Sequence, residues 1–114
     1  MRIGIDFDRV LFRTDAFKSY LETEIPGFLK HYSDNKDEYE LEPTEENLGV
    51  QLSELLSRID QLRDFVIDDI DQLTELADHE LILVSRGPHW FQKTKIVNSR
   101  VVNYMNEVVI VRTE

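Results

Sequence analysis

The sequence has 114 residues, the length of a single domain, and its 41% hydrophobic content argues against an intrinsically disordered chain. Thirteen basic and 23 acidic residues give a net charge of −10, which makes nucleic acid and anionic membranes unfavourable partners. The absence of cysteine excludes disulfides and thiolate zinc sites and favours the cytoplasm, while the acidic start and the short apolar runs are unlike a signal peptide or a membrane span.

Three short apolar runs predict β-strands. The first, RIGIDF at residues 2–7, alternates apolar with other residues, as a half-buried strand does. The second, LILV at residues 81–84, is continuously aliphatic, which is typical of a strand covered on both faces in a parallel sheet. The third is VVIV at residues 108–111. Together they predict a sheet of about three strands.

Between the first two predicted strands, apolar residues recur at the spacing of α-helices. Thr14 or Asp15 is expected to cap a first helix. The leucine spacing at residues 52–62 predicts a second helix, and Asp68 or Asp69 is expected to begin a third. The apolar residues expected to face the core on the second and third helices are Leu52, Leu55, Leu56, Ile59, Leu62, Ile70, Leu73, Leu76 and Ala77.

Two further segments complete the predicted elements. Residues 33–47 are rich in acidic side chains, and we predict a solvated connector there. Pro88 suits the first turn of a last helix, because a helix leaves the amide of its first position unbonded. That helix separates the second predicted strand from the third.

The order of these elements predicts the fold class. Strand–helix–strand units imply parallel strands with right-handed crossovers, and hence an α/β, Rossmann-like sheet of about three strands with helices on both faces. We expect one domain over residues 1–114. Residues 1–13 and 79–114 would form the core strands and helix, and residues 14–78 would form a helical cap or insert.

Two carboxylates stand at the end of the first predicted strand. Asp6 and Asp8 are two residues apart, so on an extended strand both side chains would point into one pocket. Paired carboxylates attract a hard cation such as Mg²⁺, and beside it one can attack phosphorus while the other transfers a proton. The competing interpretation is a pair of turn residues, although an aspartate within an apolar strand is costly unless it is partnered.

The end of the second strand offers an anion site. Ser85, Arg86 and Gly87 supply a hydroxyl, a cation and a flexible backbone at a strand-to-helix turn, and the helix amino terminus adds N–H donors. The competing interpretation is an ordinary turn. Lys93 and Lys95 follow on the last helix, and either would neutralise a bound phosphate if it faced the site rather than solvent.

Two segments resemble motifs of the haloacid dehalogenase-like (HAD) superfamily. Residues 6–15, DFDRVLFRTD, resemble its first motif, a hydrophobic strand followed by Asp-x-Asp-x-(Thr/Val)-(Leu/Val). Residues 81–87, LILVSRG, resemble its second motif, a hydrophobic strand followed by Ser or Thr. The order and separation of the two segments agree with the superfamily. The resemblance spans the whole chain and corresponds to the first part of a complete domain.

The resemblance implies roles for individual residues. Asp6 would be the nucleophile that forms an aspartyl-phosphate, and its carboxylate would also bind Mg²⁺. Asp8 would be the general acid/base, with its backbone carbonyl on the metal, and Ser85 would bind the transferring phosphoryl group. The cap segment would cover the site.

The sequence also departs from the superfamily. Arg9 stands where glycine is usual, and the acid pair of the fourth motif is absent, so the chain is expected to be truncated before the third and fourth motifs. The strand of the fourth motif pairs beside the first strand, so without it the Asp6 strand would be a sheet edge. Exposed edges pair readily with other chains, and we therefore expect a homodimer or higher assembly. The alternative is that the helices of residues 52–77 fold over this edge and keep the chain monomeric.

The function predicted from these observations is a Mg²⁺-dependent phosphatase that acts on a small phosphorylated metabolite, weakened by the missing motifs. The alternative is a non-catalytic module that retains a Mg²⁺- or phosphate-binding remnant and completes its sheet by self-association or with a partner. A receiver domain is disfavoured, because that fold requires an adjacent acid pair and a late lysine that the sequence does not present in order.

Overall fold

The computed structural model describes residues 1–41, 46–58, 62–76 and 78–111, with side chains described from residue 51 onward in the second range. The strands are β1 (Arg2–Asp6), β2 (Glu80–Arg86) and β3 (Glu107–Val111). The α-helices are α1 (Thr14–Glu24), α2 (Phe28–Asp34), α3 (Glu46–Ser57) and α4 (His89–Asn98). Short 3-10 helices span Lys36–Tyr39, Ile70–Leu76 and Val101–Tyr104.

The three strands form one parallel sheet in the order β1-β2-β3. Asp6 lies opposite Val84, and Ser85 lies opposite Ile110, so the carboxyl ends of the strands meet at one edge of the sheet. The prediction of an α/β fold with a three-stranded parallel sheet is confirmed. Among the described strands, β1 pairs with β2 alone, so the expectation that the Asp6 strand is a sheet edge is confirmed for this part of the chain.

Both crossover connections belong to the same face of the sheet. Because the strand order follows the chain order, right-handed connections from β1 to β2 and from β2 to β3 pass over one face. Burial agrees: Leu83 is buried, whereas its neighbours Ile82 and Val84 are half-buried. Val109 and Val111 are 38% and 36% exposed. For the described residues, the predictions of helices on both faces and of a second strand covered on both faces are therefore wrong; two-sided coverage requires a reversal of strand order.

The hydrophobic core lies between the covered face of the sheet and the helices. Its members come from the turn after β1, from β2 and from each of the four α-helices named above, and they form one continuous cluster. Fully buried examples from the sheet side and the four helices are Phe7, Leu83, Phe17, Phe28, Leu56 and Phe91. The segment predicted as a cap thus packs its apolar side chains into the same core as the sheet.

The predicted solvated connector contains a core residue. Tyr39 is fully buried at the end of the 3-10 helix Lys36–Tyr39, and its hydroxyl lies 2.8 Å from Nδ1 of His31. Its ring packs edge-to-face against Phe28 and Tyr32. The prediction is wrong for this part of the stretch, because burial of the aromatic ring is favourable and its charged neighbours Asp37 and Glu38 remain at the surface.

Several helix boundaries differ from the predictions. The residue before α1 is Arg13, which makes no side-chain cap; Thr14, predicted as a cap, is already helical, and its hydroxyl donates to Asp8. α3 ends at Ser57 rather than near residue 62. The buried predicted residues of the later helices are Leu52, Leu55, Leu56, Leu62 and Ile70. The predictions for Ile59 and Ala77 lie outside the described residues. Among the described helices, none is long and apolar enough to cross a membrane.

Candidate functional site

A tight turn after β1 carries Asp8 back over the core. Phe7 is fully buried, and both Leu11 and Phe12 donate their backbone amides to its carbonyl. Arg9 has a φ of 64°, in the left-handed region that favours glycine. The Arg9 amide donates to the Thr14 hydroxyl at 3.0 Å and to the Phe12 carbonyl at 2.9 Å. These bonds hold the turn, and with it the Asp8 carboxylate, in one orientation.

The Asp8 carboxylate accepts hydrogen bonds from three side chains on two helices, α1 and α4. The Thr14 hydroxyl donates to Oδ1 at 2.9 Å, and Lys95 Nζ approaches the same oxygen at 3.3 Å. Gln92 Nε2 donates to Oδ2 at 2.7 Å. Burial raises the pKa of this carboxyl, but the Lys95 charge and the three hydrogen bonds outweigh burial, so the pKa of Asp8 is lowered and the group is held ionised.

Lys95 is a buried cation enclosed by aromatic rings. Its side chain is only 3% exposed, and Nζ lies 4.7 Å from the ring centre of Phe91, 5.7 Å from Phe12 and 5.8 Å from Phe7. Ring faces attract a cation, and Asp8 supplies the opposite charge. Burial nevertheless dominates and lowers the pKa of Lys95 to about 8. The lysine is therefore mostly protonated at neutral pH and neutral in alkaline solution.

Gln92 joins the two strand ends. Its Nε2 donates to the Ser85 hydroxyl at 2.6 Å in addition to Asp8, so both amide protons are used. Gly87 makes this position possible, because a Cβ there would lie 3.1 Å from Cγ of Gln92 and the backbone has a φ of 142°. Of the residues predicted from the sequence, the structure thus brings Asp8, Ser85, Gly87 and Lys95 together.

Three other predicted site residues lie apart from this cluster. Asp6 is exposed at the end of β1, and by strand alternation it shares the uncovered face with Arg2. Arg86 is exposed and, next to Ser85 on β2, belongs to that uncovered face too. Lys93 is exposed on α4. The turn at Phe7 breaks the extended geometry on which the common orientation of Asp6 and Asp8 was predicted.

The amino terminus of α4 is already occupied by a carboxylate. The His89 amide donates to Oε2 of Glu40 at 3.0 Å, and the Trp90 amide donates to the Glu40 carbonyl at 3.0 Å. The Gly87 amide donates to the Val111 carbonyl at 2.9 Å. The backbone donors predicted to bind a phosphate are therefore bonded within the chain, and an anion at this turn would have to displace Glu40.

The site includes residues that the sequence did not single out as such. Gln92 lies one helical turn before Lys95, and that spacing is a signal that could have found it. The sequence pattern predicts Thr14 only as a helix cap, whereas its hydroxyl bonds both Asp8 and the Arg9 amide. Tyr32 lies near the cluster: burial raises its pKa to about 12, and the charges of Asp8, Tyr39 and Glu40 act in the same direction. Nothing in the local pattern marks Tyr32 or Glu40, because their places depend on tertiary packing.

Asp6 and Asp8 differ in how well their carboxylates are placed to bind Mg²⁺. Both Asp8 side-chain oxygens already accept bonds, one of them from a lysine cation, whereas the Asp6 carboxylate is exposed. Within the described ranges, no group of three or more His, Asp or Glu residues is placed to hold a metal. Mg²⁺ requires only one or two protein carboxylates when waters and a substrate phosphate complete its shell, so the exposed Asp6 carboxylate, rather than the Asp8 side chain, is the group left to bind it.

A separate cavity of about 260 Å³ lies away from this cluster. It is bounded by Arg63, Asp71, Arg100 and Tyr104, and the Tyr104 hydroxyl donates to Asp71 Oδ1 at 2.5 Å. Asp68 also lines the cavity, so two arginines and two aspartates leave the lining without net charge. The cavity therefore gives no electrostatic selection for an anionic or cationic ligand.

Comparison with known proteins returned no relatives: no family model, no curated protein and no solved structure matches the chain.

Proposed function

We propose that the protein is a Mg²⁺-dependent phosphohydrolase with a Rossmann-like, HAD-like fold, which acts in the cytoplasm on a small phosphorylated metabolite. One observation carries the proposal. Asp8 after β1, Ser85 at the end of β2 and Lys95 on α4 converge at the carboxyl edge of a parallel sheet, around the bridging Gln92. In open α/β sheets this edge is where ligands bind.

In the proposed reaction, the Asp6 carboxylate, which is exposed at the end of β1, turns over the strand end toward Ser85 and attacks phosphorus. An Asp6 oxygen–phosphorus bond forms as the bond from phosphorus to the leaving oxygen breaks, and water then hydrolyses the aspartyl-phosphate. The lowered pKa of Asp8 suits the second step best, since an ionised carboxylate can take a proton from the attacking water. A substrate with a good leaving group, which departs without a proton, is therefore favoured.

The surrounding residues supply charge and hydrogen bonds. Ser85 accepts its bond from Gln92, so its own proton is free to be donated to a phosphoryl oxygen. Lys95 offsets negative charge beside Asp8. Asp6 and the Asp8 carbonyl would hold Mg²⁺, which supplies further neutralisation of the phosphoryl oxygens. Arg9 supports the HAD-like interpretation, because its positive φ occurs where that superfamily usually has glycine.

The test is hydrolysis of an aryl phosphate with and without Mg²⁺. We expect slow, Mg²⁺-dependent turnover that Asp6→Asn lowers by roughly 10³-fold or more, since loss of a nucleophile costs about 4 kcal/mol of barrier. Asp64→Asn is the matched control, because Asp64 is an exposed aspartate outside the cluster. Equal rates for the native protein and Asp6→Asn would reject Asp6 as nucleophile.

A second candidate is a non-catalytic module that binds phosphate or Mg²⁺. The observation that favours it is that the polar groups of the site already bond each other: Asp8 is paired with Lys95, and the α4 amino terminus is bonded to Glu40. This candidate predicts no turnover in the same assay, together with shifts of the Ser85 and Gln92 resonances when phosphate is titrated. Phosphohydrolase activity abolished by Asp6→Asn excludes it.

A further inference from the structure

The uncovered face of the sheet carries aliphatic side chains on two adjacent strands. Ile82 and Val84 of β2 are half-buried, and Val109 and Val111 of β3 are 38% and 36% exposed. These four residues are the open-face patch. Parallel sheets are almost always covered on both faces, and a bare aliphatic face is typical of a contact surface. β1 adds only Arg2, Gly4 and Asp6 to this face, so the patch is confined to β2 and β3.

Charges of opposite sign stand at the two ends of β2 on this face. Glu80 lies at the amino end and Arg86 at the carboxyl end, with Ile82 and Val84 between them. Arg2 bonds both Glu80 and Glu107 at 3.0 Å, so one cation serves two carboxylates and the amino end keeps excess negative charge. Arg86 forms no ion pair within the part of the chain that the structure describes.

We propose that this face binds a second copy of the chain. A two-fold axis that lays β2 antiparallel over β2 of the other copy places each Arg86 above the other copy's Glu80 and brings Ile82 against Val84. Two sheets packed in this way form a sandwich with their strand directions about 30° apart. Because a two-fold interface uses the same surface twice, a strand with opposite charges at its ends is complementary to itself.

The net charge of −10 on each chain opposes self-association, but this repulsion is screened beyond about 8 Å at physiological salt. In the proposed dimer the open-face patch and the ion pairs between Arg86 and Glu80 are in direct contact, so their attraction is not screened in this way. The interface differs from pairing along the β1 edge, since it uses the side chains of a sheet face rather than backbone groups. Failure of this proposal is distinguishable from failure of the proposed reaction, because its test measures molecular mass and not turnover.

The experiment is light scattering coupled to size exclusion across a wide concentration range. We expect a mass of twice the 13.5 kDa of one chain. Val109→Glu should raise the dissociation constant at least about tenfold, because it places a charge in the apolar contact. Val97→Glu is the matched control, since Val97 is 44% exposed on α4, outside the patch, and this variant should remain dimeric.

A charge exchange tests the antiparallel arrangement. Arg86→Glu alone and Glu80→Arg alone should each weaken the dimer, and the double variant should restore it, because the exchanged charges meet again across the two-fold axis. Circular dichroism checks that each variant is folded. A native mass of 13.5 kDa at every concentration, a dimer that survives Val109→Glu, or a double variant that does not recover would each overturn the proposal.

Discussion

Lys95 is the residue whose environment is most at odds with its chemistry. It is buried against Phe7, Phe12 and Phe91, and even with Asp8 beside it the folded protein disfavours its charged form, as the lowered pKa indicates. A buried ion pair of this kind adds little or nothing to stability, because the desolvation of the cation exceeds its attraction to the carboxylate. The charge-neutralising role that the proposed function gives to Lys95 would account for its burial better than folding does.

Replacement of Lys95 by methionine should therefore separate stability from activity. Lys95→Met keeps a long apolar side chain among the three rings and removes the desolvated charge. Because the folded protein disfavours the lysine charge even beside Asp8, we expect the free energy of unfolding at neutral pH to rise by at most about 3 kcal/mol, the equivalent of the lowered pKa, while the proposed phosphohydrolase activity is lost. Urea denaturation and the aryl phosphate assay measure the two quantities.

The matched control for this substitution is Lys93→Met on the same helix. Lys93 is exposed, so its removal should change the free energy of unfolding by no more than about 0.5 kcal/mol and leave activity intact. If Lys95→Met is clearly less stable than the native protein and than Lys93→Met, the ion pair between Lys95 and Asp8 is a net stabilising contact, contrary to the argument from burial.

At the scale of elements, α4 is the helix that organises the site. It presents Gln92 and Lys95 on one face toward Asp8, and its first amides are bonded to Glu40. Glu40 follows the buried Tyr39, so the docking of that ring fixes the carboxylate at the helix amino terminus. A carboxylate there is favoured by the helix dipole and competes with any phosphate for the same donors.

Removal of this carboxylate should open the helix terminus. We expect Glu40→Ala to bind inorganic phosphate roughly threefold to tenfold more tightly, at a cost of about 1 kcal/mol in the free energy of unfolding, because the His89 amide loses its acceptor. Amide shifts of His89 and Trp90 during a phosphate titration provide the measurement.

Glu38→Ala controls for the loss of one negative charge in the same segment. Glu38 is exposed, and its Oε2 lies 3.8 Å from Nε2 of His31 rather than at the α4 amino terminus. It should not alter phosphate binding. If phosphate perturbs only surface lysines in Glu40→Ala as well, the α4 amino terminus is not an anion site.

At the scale of the whole molecule, the pair of Lys95 and Asp8 makes stability depend on pH. The pKa of Lys95 is about 8 in the folded chain and 10.5 for an ordinary lysine. Between these values the unfolded chain binds more protons than the folded chain, so this group makes the free energy of unfolding rise with pH. Below about pH 8 both states are protonated, and its contribution is constant.

We expect urea denaturation between about pH 7 and pH 10.5 to show this rise in the native protein relative to Lys95→Met. The comparison isolates Lys95, because tyrosines and other lysines titrate in both proteins. Parallel pH profiles for the two proteins would mean that the lysine titrates in its ordinary range and is not desolvated as the structure indicates.

Local patterns in the sequence determined the strands, most of the helices and the approach of Asp8 to Ser85. The alternation at RIGIDF, the aliphatic run at LILV and the leucine spacing around Leu52 predicted strands and helices correctly, because periodicity reports which side of an element is apolar. The positions of Asp8 and Ser85 just after parallel strands predicted that they would meet, because such strands end at one edge of the sheet.

Only the tertiary structure decided the rest. The burial of Lys95 rather than Lys93, the bridging role of Gln92 and the docking of Glu40 on α4 depend on contacts between segments far apart in the chain. The uncovered sheet face follows from the strand order β1-β2-β3, which a list of elements does not contain. Periodicity is a property of neighbours along the chain, whereas strand order and charge pairing are set by which distant surfaces pack most favourably together.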